Sequence, residues 1–333
     1  PQLQMLDPAP RVAIWHGAGS IAFGSSIKEC TIISDIAKHT RQAVQIGESI
    51  GGWQALSAKD IFELEYWVLE QAKLGKSTAS KKPHQGKVAV VTGAHSGIGK
   101  ATCQALATDG AVVIGLDINS EVVGQLGYDG MLGLECDLTD SKAIAVAVDR
   151  VISLYGGLDI VVCNAGIFKA GERIEEQTEL TWNQTLDINL TATQRFMTAT
   201  IPYLKWGIDP SILIVGSRNY AAPGPGAAAY SVSKAGITQL ARVAALELAG
   251  DGIRVNIVHP DAVFDTALWT EEALASSAVR YGISVEEYKA KNLLGKTISA
   301  ANVGRLLSTM AGDVFTATTG AQIPIDGGSD RVI

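Results

Sequence analysis

The stretch VAVVTGAHSGIG (residues 88–99) decides the fold of this chain. Its run of valine and alanine predicts a buried strand, and the glycines that follow predict a tight turn into a helix. A turn of this kind lets backbone N–H groups approach a pyrophosphate at the helix N-terminus. Taken alone, the pattern also fits an ordinary glycine-rich loop, so the surrounding sequence has to decide between the two.

From this stretch onward, short runs rich in valine and isoleucine alternate with amphipathic segments. Strands of a parallel sheet are buried on both faces and therefore read as continuous apolar runs, as these do. The pattern predicts an α/β fold with a doubly wound parallel seven-stranded sheet. The predicted strands are residues 87–92, 111–116, 131–136, 158–163, 212–215, 253–258 and 322–325.

The domain organisation follows from a change in composition at the polar stretch GKSTASKKPHQG, which begins at residue 75. We interpret residues 76–85 as a linker between an N-terminal extension (1–75) and a main domain (86–333). The extension is too small for a large core of its own. We therefore expect it to dock on the main domain or on a partner subunit.

Within the extension, the sequence predicts a hairpin broken by glycines and two helices, at 26–50 and 58–74. Ser57 and Asp60 have the spacing of a capping box at the start of the second helix, and Gly75 stands where a helix often ends.

Composition excludes several classes of protein. The 333 residues are 47% hydrophobic with a net charge of −7, and no apolar run approaches the roughly 20 residues of a membrane span. The acidic balance argues against a nucleic-acid partner. The four cysteines match no metal or redox spacing, so we expect reduced thiols, a cytoplasmic location and no metal site. The chain begins at Pro1 without a leader pattern, which is consistent with further sequence upstream.

The second predicted strand ends at Asp117, 24 residues after Gly93. An acidic residue about 20 positions beyond the glycine turn is expected to bind the hydroxyls of an adenosine ribose. A carboxylate there repels a 2′-phosphate, and neither Ser96 nor Ile118 supplies a compensating cation. The sequence therefore favours NAD over NADP, with a ligand-free surface aspartate as the alternative.

A second group of residues is typical of acid–base chemistry. Tyr230 and Lys234 stand four apart on one face of a predicted helix, and Ser217 ends a predicted strand upstream. A free tyrosine titrates near 10, so a nearby cation must stabilise its phenolate before it can serve as a base at neutral pH. The Pro/Gly-rich segment at 221–226 lets the chain fold back towards Ser217. A Tyr/Lys pair in isolation is more often structural.

Together these motifs resemble the short-chain dehydrogenase/reductase family over residues 86–328. The family's TGxxxGIG corresponds to residues 92–99, its NAG to Asn164-Ala165-Gly166, and its S…YxxxK to Ser217, Tyr230 and Lys234, with the usual Ser-to-Tyr offset of 13. The resemblance implies a Rossmann fold and hydride transfer at nicotinamide. It further implies that Tyr230 exchanges a proton with the substrate oxygen, that Ser217 donates a hydrogen bond to the same oxygen, and that Lys234 lowers the pKa of the tyrosine.

The same resemblance implies the remaining site residues. Asn189 matches the family's fourth catalytic residue, which holds a water in a proton relay to the lysine; the alternative is a buried structural asparagine. The implied cofactor-binding residues are Gly93, Ser96, Gly97, Ile98, Gly99, Asp117, Ile118, Asp137, Leu138, Asn164, Ala165, Gly166, Tyr230, Lys234, Pro260 and Val263.

One departure from the family pattern follows the sixth strand, where Asp261 replaces the usual glycine after Pro260. The added carboxylate either contacts substrate hydroxyls or caps the next helix. If the strand at 212–215 continues past Ser217, Asn219 also faces the substrate and Arg218 points elsewhere.

The stretches HPDAVFDTALW and PGPGAAAYSVSK and the N-terminal extension resemble a narrower group, the dehydrogenase half of bifunctional class II aldolase/short-chain dehydrogenases. This implies a role in carbohydrate metabolism with a small hydroxyaldehyde, sugar or polyol as substrate. It leaves open a lactaldehyde-type substrate in a longer protein whose lyase half is missing here, and a non-catalytic nucleotide-binding scaffold. From the family we also expect a homodimer or homotetramer.

Overall fold

The valine run near residue 90 forms an inner strand of a seven-stranded parallel sheet in a computed structural model of the protein, and every residue of this strand is buried. The structure describes residues 3, 5–6, 8–74, 81–127, 130–169, 171–266 and 269–329. By its internal contacts the chain divides into two compact units, Pro1–Gly86 and Lys87–Ile333.

The sheet lies in the second unit and confirms the predicted α/β fold. In chain order the strands of the described residues are β1 (Val12–Trp15), β2 (Gly19–Ala22), β3 (Val88–Thr92), β4 (Val112–Asp117), β5 (Met131–Glu135), β6 (Ile160–Cys163), β7 (Ser211–Val215), β8 (Arg254–Pro260) and β9 (Gln322–Ile325). The sheet consists of β3 to β9, and β1 and β2 form a separate hairpin. The sheet order is β5-β4-β3-β6-β7-β8-β9. The chain thus builds outward from β3 to one edge and then returns to the other side of β3. In sheets of this topology ligands bind outside the carboxyl ends of the strands, at the point of reversal.

Helices of the second unit cover both faces of the sheet. In chain order the helices are α1 (Ile27–Ile50), α2 (Ala58–Glu65), α3 (Val68–Leu74), α4 (Gly97–Thr108), α5 (Val122–Gln125), α6 (Ser141–Tyr155), α7 (Glu179–Leu186), α8 (Ala192–Leu204), α9 (Ala228–Leu248), α10 (Glu271–Tyr281), α11 (Val285–Lys289) and α12 (Ala300–Ala311). One core cluster includes Ile144, Phe196 and Ile237 from α6, α8 and α9. The other includes Leu106 from α4 and Leu307 from α12.

The first unit contains an antiparallel hairpin of β1 and β2 followed by α1, as the sequence predicts. The single helix predicted at 58–74 is wrong, because the chain breaks into α2 and α3 at Tyr66 and Trp67. There Trp67 N bonds the carbonyl of Leu64 at 3.4 Å, a tighter turn than an α-helix has. The Ser57 side chain accepts from Asp60 N at 3.1 Å, as in a capping box. The Asp60 carboxylate, however, bonds the hydroxyl of Ser57, at 2.7 Å. Gly75 and the first half of the predicted linker, residues 76–80, lie outside the described residues.

Among the described helices, none combines the length and the apolar character needed to cross a membrane.

The packing of α4 against α12 holds the start of α4 in place beside the sheet. At Gly304 the two helices meet backbone to backbone, since a Cβ there would lie 2.7 Å from the carbonyl oxygen of Ala101. Real Cβ atoms do not approach that closely, so a side chain at this position must push the helices apart.

We therefore expect Gly304→Ala to lower the free energy of unfolding by about 1–3 kcal/mol, the usual cost of overpacking. Gly250→Ala is the matched control, because a Cβ at Gly250 meets no atom within 4 Å. Urea unfolding followed by circular dichroism measures both variants. Equal stability of the two variants would show that the helices adjust freely.

Candidate active site

The turn between β3 and α4 brings backbone atoms closer together than a side chain allows. A Cβ at Gly99 would overlap the carbonyl oxygen of Gly93, and a Cβ at Gly93 would lie 2.8 Å from Nδ2 of Asn164. Gly93 and Gly97 also have positive φ angles of 67° and 52°. The amide of Asn164 donates to the carbonyls of Thr92 at 2.9 Å and Gly93 at 3.1 Å. Glycine is therefore required in this turn, and Asn164 holds the turn against the end of β6.

The N-terminus of α4 is open to a ligand. Ser96 occupies the N-cap position, yet its side chain makes no capping hydrogen bond and the residue is exposed. The first amide groups of α4 thus lack the side-chain acceptor that usually satisfies them, which is the arrangement that binds phosphates. Ile98, the next residue but one, is half-buried against the α4/α12 core.

Asp117 ends β4 beside this turn. One carboxylate oxygen accepts from His95 N at 3.0 Å and the other from Asn119 N at 2.9 Å. These bonds fix the carboxylate at the carboxyl edge of the sheet, and each oxygen keeps a lone pair for a further donor. Ile118, which follows, is 68% exposed and offers an apolar surface at the same edge. The pair fits an adenosine group: a carboxylate for the ribose and an apolar side chain for the base.

The ends of β5 and β6 contribute the other predicted cofactor residues. Oδ1 of Asp137 accepts from the backbone N–H of Thr139 at 2.8 Å and from its hydroxyl at 2.7 Å. One oxygen of this carboxylate therefore stabilises the turn into α6. Leu138 is half-buried. Ala165 N donates to Thr92 Oγ1 at 3.1 Å, and a Cβ at Gly166 would lie 3.8 Å from Nζ of Lys234. The Asn-Ala-Gly turn therefore connects the glycine turn with the predicted catalytic residues.

Tyr230, Ser217 and Lys234 come together at the carboxyl end of β7. The Ser217 hydroxyl lies close enough to the phenol of Tyr230 to lower its pKa. Nζ of Lys234 lies 5.7 Å from the centroid of the Tyr230 ring and donates to the carbonyl of Val215 at 2.9 Å. Lys234 is buried, whereas Tyr230 keeps part of its surface exposed. The helical pair Tyr230 and Lys234 thus forms one polar centre with Ser217 from the end of β7, and this centre is accessible to a ligand.

The pKa shifts at this centre show what the chain does without a cofactor. Burial lowers the pKa of Lys234 to about 8. Burial also raises the pKa of Tyr230; the hydrogen bond from Ser217 opposes this rise and the nearby carboxylate of Asp261 adds to it. The phenol is therefore protonated at neutral pH in the protein alone, and its ionisation needs further positive charge in the site.

Asn189 lies in a π-helical turn, Asp187–Thr191, between α7 and α8. Its side chain is buried: Oδ1 accepts from Ile167 N at 2.8 Å, and Nδ2 donates to Ile167 O at 2.9 Å and to Ser233 Oγ at 3.1 Å. The side chain thus clamps the segment after the Asn-Ala-Gly turn to α9. π-Helical turns inside α-helices are frequent at functional sites.

β8 ends at Pro260, and the loop that follows runs beside the N-terminus of α4. Val263 bridges to Ile298, and Thr266 Oγ1 donates to Val263 O at 2.8 Å. A Cβ at Gly97 would lie 3.1 Å from the methyl group of Thr266, so the loop borders the proposed phosphate site. Asp261 lies ten residues before α10, and its carboxylate lies 3.6 Å from Nη1 of Arg218.

Two features of this region escape the sequence analysis. β7 ends before Ser217, and residues Arg218–Tyr220 form a 3₁₀ turn, so Asn219 and Arg218 do not alternate as on a strand. Phe168 meets Tyr230 edge to face with ring centroids 4.7 Å apart, and it is 43% exposed. Its position two residues after the Asn-Ala-Gly motif is the one sequence signal that could have drawn attention to it.

A buried histidine, His259, lies beside the end of β7. The ring of His259 stacks on Tyr220 with centroids 3.9 Å apart, and neither ring nitrogen makes a well-formed hydrogen bond among the described residues. The side chain of Gln322 and the backbone of Ser217 are near enough to raise its pKa, but burial prevails and lowers it to about 4. His259 is therefore neutral in the folded protein at neutral pH.

Two protein families match this chain. Residues 87–276 match the short chain dehydrogenase family, which is more than half of the chain. The chain belongs to this family. Residues 1–74 match the second domain of class II aldolases. The combination confirms the resemblance of this short-chain dehydrogenase to bifunctional class II aldolase/short-chain dehydrogenases.

Individual relatives agree with this assignment. The chain is 31% identical to the uncharacterized oxidoreductase YuxG of Bacillus subtilis over 98% of its own length, and it spans about half of that relative, 49%. It is 32% identical to an uncharacterized NAD-dependent oxidoreductase of Mycobacterium tuberculosis, covering 73% of this chain and 96% of the other. The ligand-free aldohexose dehydrogenase of Thermoplasma acidophilum superposes with a TM-score of 0.65 at 26% identity, over 74% and 95% of the two chains.

The buried histidine yields a prediction about acid stability. An unfolded histidine has a pKa of about 6.5, and the folded value is lower, so the unfolded state binds the extra proton as the pH falls. Stability is complete above pH 6.5 and is lost between about 6.5 and 4, by up to about 3 kcal/mol. We expect His259→Gln to lack this part of the loss in urea titrations at stepped pH.

His39→Gln is the matched control, because it makes the same substitution at a histidine that is exposed on α1. His259→Phe, which keeps a stacking ring, serves if the glutamine variant does not fold. A pH dependence that is identical in the wild type and in both His259 variants would contradict the assignment of a neutral, buried imidazole.

Proposed function

We propose that this short-chain dehydrogenase transfers a hydride between NAD and a secondary alcohol or carbonyl group, with Tyr230 as the general acid/base. The observation that carries the proposal is the convergence of Tyr230, Ser217 and Lys234 at the same sheet edge as the glycine turn. When bound, the nicotinamide ring supplies the hydride acceptor or donor.

The chain's own residues would orient the substrate and move the proton. The phenol of Tyr230 would take a proton from the substrate hydroxyl or give one to the carbonyl oxygen. Ser217, whose hydroxyl lies near the phenol of Tyr230, would donate to the same oxygen. Lys234 would hold the nicotinamide ribose and favour the phenolate. Asn189 keeps the segment after the Asn-Ala-Gly turn in position.

NAD is the preferred cofactor in this proposal. Asp117 is fixed by two backbone N–H groups at the end of β4, where the ribose hydroxyls would lie. A 2′-phosphate would face this carboxylate at close range and be repelled. The name of the Mycobacterium relative, an NAD-dependent oxidoreductase, supports the same choice.

For the substrate we propose a small sugar-derived hydroxyaldehyde or polyol. The match of residues 1–74 to an aldolase domain supports a place in carbohydrate metabolism, since aldolases release small hydroxycarbonyl compounds. The aldohexose dehydrogenase among the structural neighbours supports sugar chemistry on this fold. The same aldolase match, and the half-length coverage of YuxG, favour a second candidate: the dehydrogenase part of a bifunctional protein with a lactaldehyde-type substrate. The intact mass of the native polypeptide tests it.

We also propose a cytoplasmic homodimer or homotetramer. The four cysteines are free thiols. Helix α9 exposes Val232, Val243 and Leu246, the last at 82%, an apolar surface of the kind that subunits bury.

Replacing the proposed acid/base gives a direct test. Tyr230→Phe should lower kcat/KM for NAD-coupled alcohol oxidation by about 10²- to 10⁴-fold, because no group remains to exchange the proton. NADH binding, measured by fluorescence titration, should stay within about 2-fold of the wild type, because the ring is kept. Tyr203→Phe on α8 is the control and should retain full activity. Tyr230→Phe with normal turnover would refute the proposal, and a wild type that binds NADH without turnover would favour the scaffold alternative.

Cofactor choice is tested at Asp117. Asp117→Ser should weaken NAD binding and improve the use of NADP, because the carboxylate that binds two hydroxyls and repels phosphate is gone. We expect the ratio of kcat/KM for NAD to that for NADP to fall by at least about 10-fold, since hydrogen bonds to charged groups contribute roughly 1.5–3 kcal/mol. Glu135→Gln, at the paired position of the neighbouring strand β5, is the control. An unchanged ratio in Asp117→Ser would mean that another residue selects the cofactor.

A further inference from the structure

The ion pair between Asp261 and Arg218 lies at the mouth of the catalytic centre. Asp261 directly follows the carboxyl end of β8, and Arg218 directly follows Ser217. The two charged groups are 3.6 Å apart, with 18% of the Asp261 side chain and 30% of the Arg218 side chain exposed. The negative charge of Asp261 acts on the phenol of Tyr230, which places the carboxylate in the neighbourhood of the reacting oxygen.

The carboxylate of Asp261 has unused acceptor capacity. Arg218 is its charge partner among the residues that the structure describes, and the 3.6 Å separation is longer than a hydrogen bond. An ionised carboxylate offers about four lone-pair positions. A mostly buried carboxylate with open positions is costly unless a donor reaches it, and a ligand hydroxyl is such a donor.

The loop that carries Asp261 is held rigidly. Ala262 has a φ of +50°, a conformation that residues other than glycine seldom adopt. The carboxylate of Asp265 accepts from Ala300 N at 2.8 and 3.1 Å, which ties the loop to the start of α12. Backbone strain of this kind persists only where the surrounding structure enforces it, and it often occurs at ligand sites.

Phe168 contributes an apolar surface to the same centre. Its ring meets Tyr230 edge to face at 4.7 Å, and 43% of the residue remains exposed. The site thus offers a proton-exchanging group, a hydrogen-bond acceptor beside it and an apolar contact for a short carbon chain.

We propose that Asp261, which Arg218 holds in place, accepts a hydrogen bond from a substrate hydroxyl group on the carbon next to the reacting carbon. The substrate is then an uncharged 1,2-diol or α-hydroxycarbonyl compound. This proposal rests on the proposed function. An anionic substituent in place of this hydroxyl would face the carboxylate of Asp261 at close range and be repelled by it.

The test compares matched alcohols that differ in one hydroxyl: propane-1,2-diol with propan-2-ol, and butane-2,3-diol with butan-2-ol, with hydroxyacetone and acetone for the reverse reaction. The wild type should prefer the hydroxylated member of each pair. Asp261→Ala should lower kcat/KM for the hydroxylated member by about 10- to 100-fold, the range for hydrogen bonds to charged groups. The activity with the other member should not fall, because that substrate has no hydroxyl for Asp261 to hold and the variant loses only the carboxylate's opposition to the phenolate.

Asp261→Asn keeps the shape and one acceptor, so its loss should be intermediate, and it replaces the alanine variant if that one does not fold. Arg218→Gln should reduce the preference as well, because the carboxylate loses its partner. Glu286→Ala, an exposed carboxylate on α11, is the control. Equal use of both members by the wild type, or an unchanged preference in Asp261→Ala, would overturn the role of Asp261 alone. No NAD-coupled turnover of any alcohol or carbonyl by the wild type would overturn the proposed function and this inference with it.

Discussion

The structure depends on one close approach of backbone to backbone, at the turn between β3 and α4. No side-chain carbon fits at Gly99 against the carbonyl of Gly93, and none fits at Gly93 against Asn164. The turn therefore closes tightly enough to aim the open N-terminus of α4 along the carboxyl edge of the sheet. Each proposed role at that edge depends on the direction of this N-terminus, because one extended ligand must reach the phosphate site, the carboxylate of Asp117 and the catalytic centre.

The sequence predicted the fold well because its signals are local. A strand buried on both faces must be apolar throughout, and a tight turn must contain glycine, so the seven strands and the turn can be identified without knowing their neighbours. The strand limits were within two residues of those observed. The break between α2 and α3 was missed because Tyr66 and Trp67 are compatible with a helix, and only the tighter bond at Leu64 ends it.

The candidate site was predictable in its motifs but not in its contacts. The spacing of Ser217, Tyr230 and Lys234 identifies a chemical group, and the structure shows these residues together. The pair of Arg218 and Asp261 joins two loops 43 positions apart in the sequence, and no periodicity connects them. The expectation that Asn219 continues a strand failed because β7 ends early and a 3₁₀ turn reorients the next residues. Long-range pairing depends on tertiary structure, which local patterns do not encode.

The groups around Tyr230 shift its pKa in opposite directions, and this opposition bears on what the site binds. Burial and Asp261 both raise the pKa of the phenol, whereas the hydrogen bond from Ser217 lowers it. A carboxylate at this place thus makes the base harder to form, a disadvantage that glycine at the same position would not bring. A group that opposes proton transfer must contribute elsewhere for the site to work well, and binding is the remaining step to which an acceptor with open lone pairs can contribute. Because the substrate hydroxyl that reaches Asp261 also shields its charge from the phenol, binding a hydroxylated substrate would ease ionisation of Tyr230, and a substrate without that hydroxyl would leave the opposition in place.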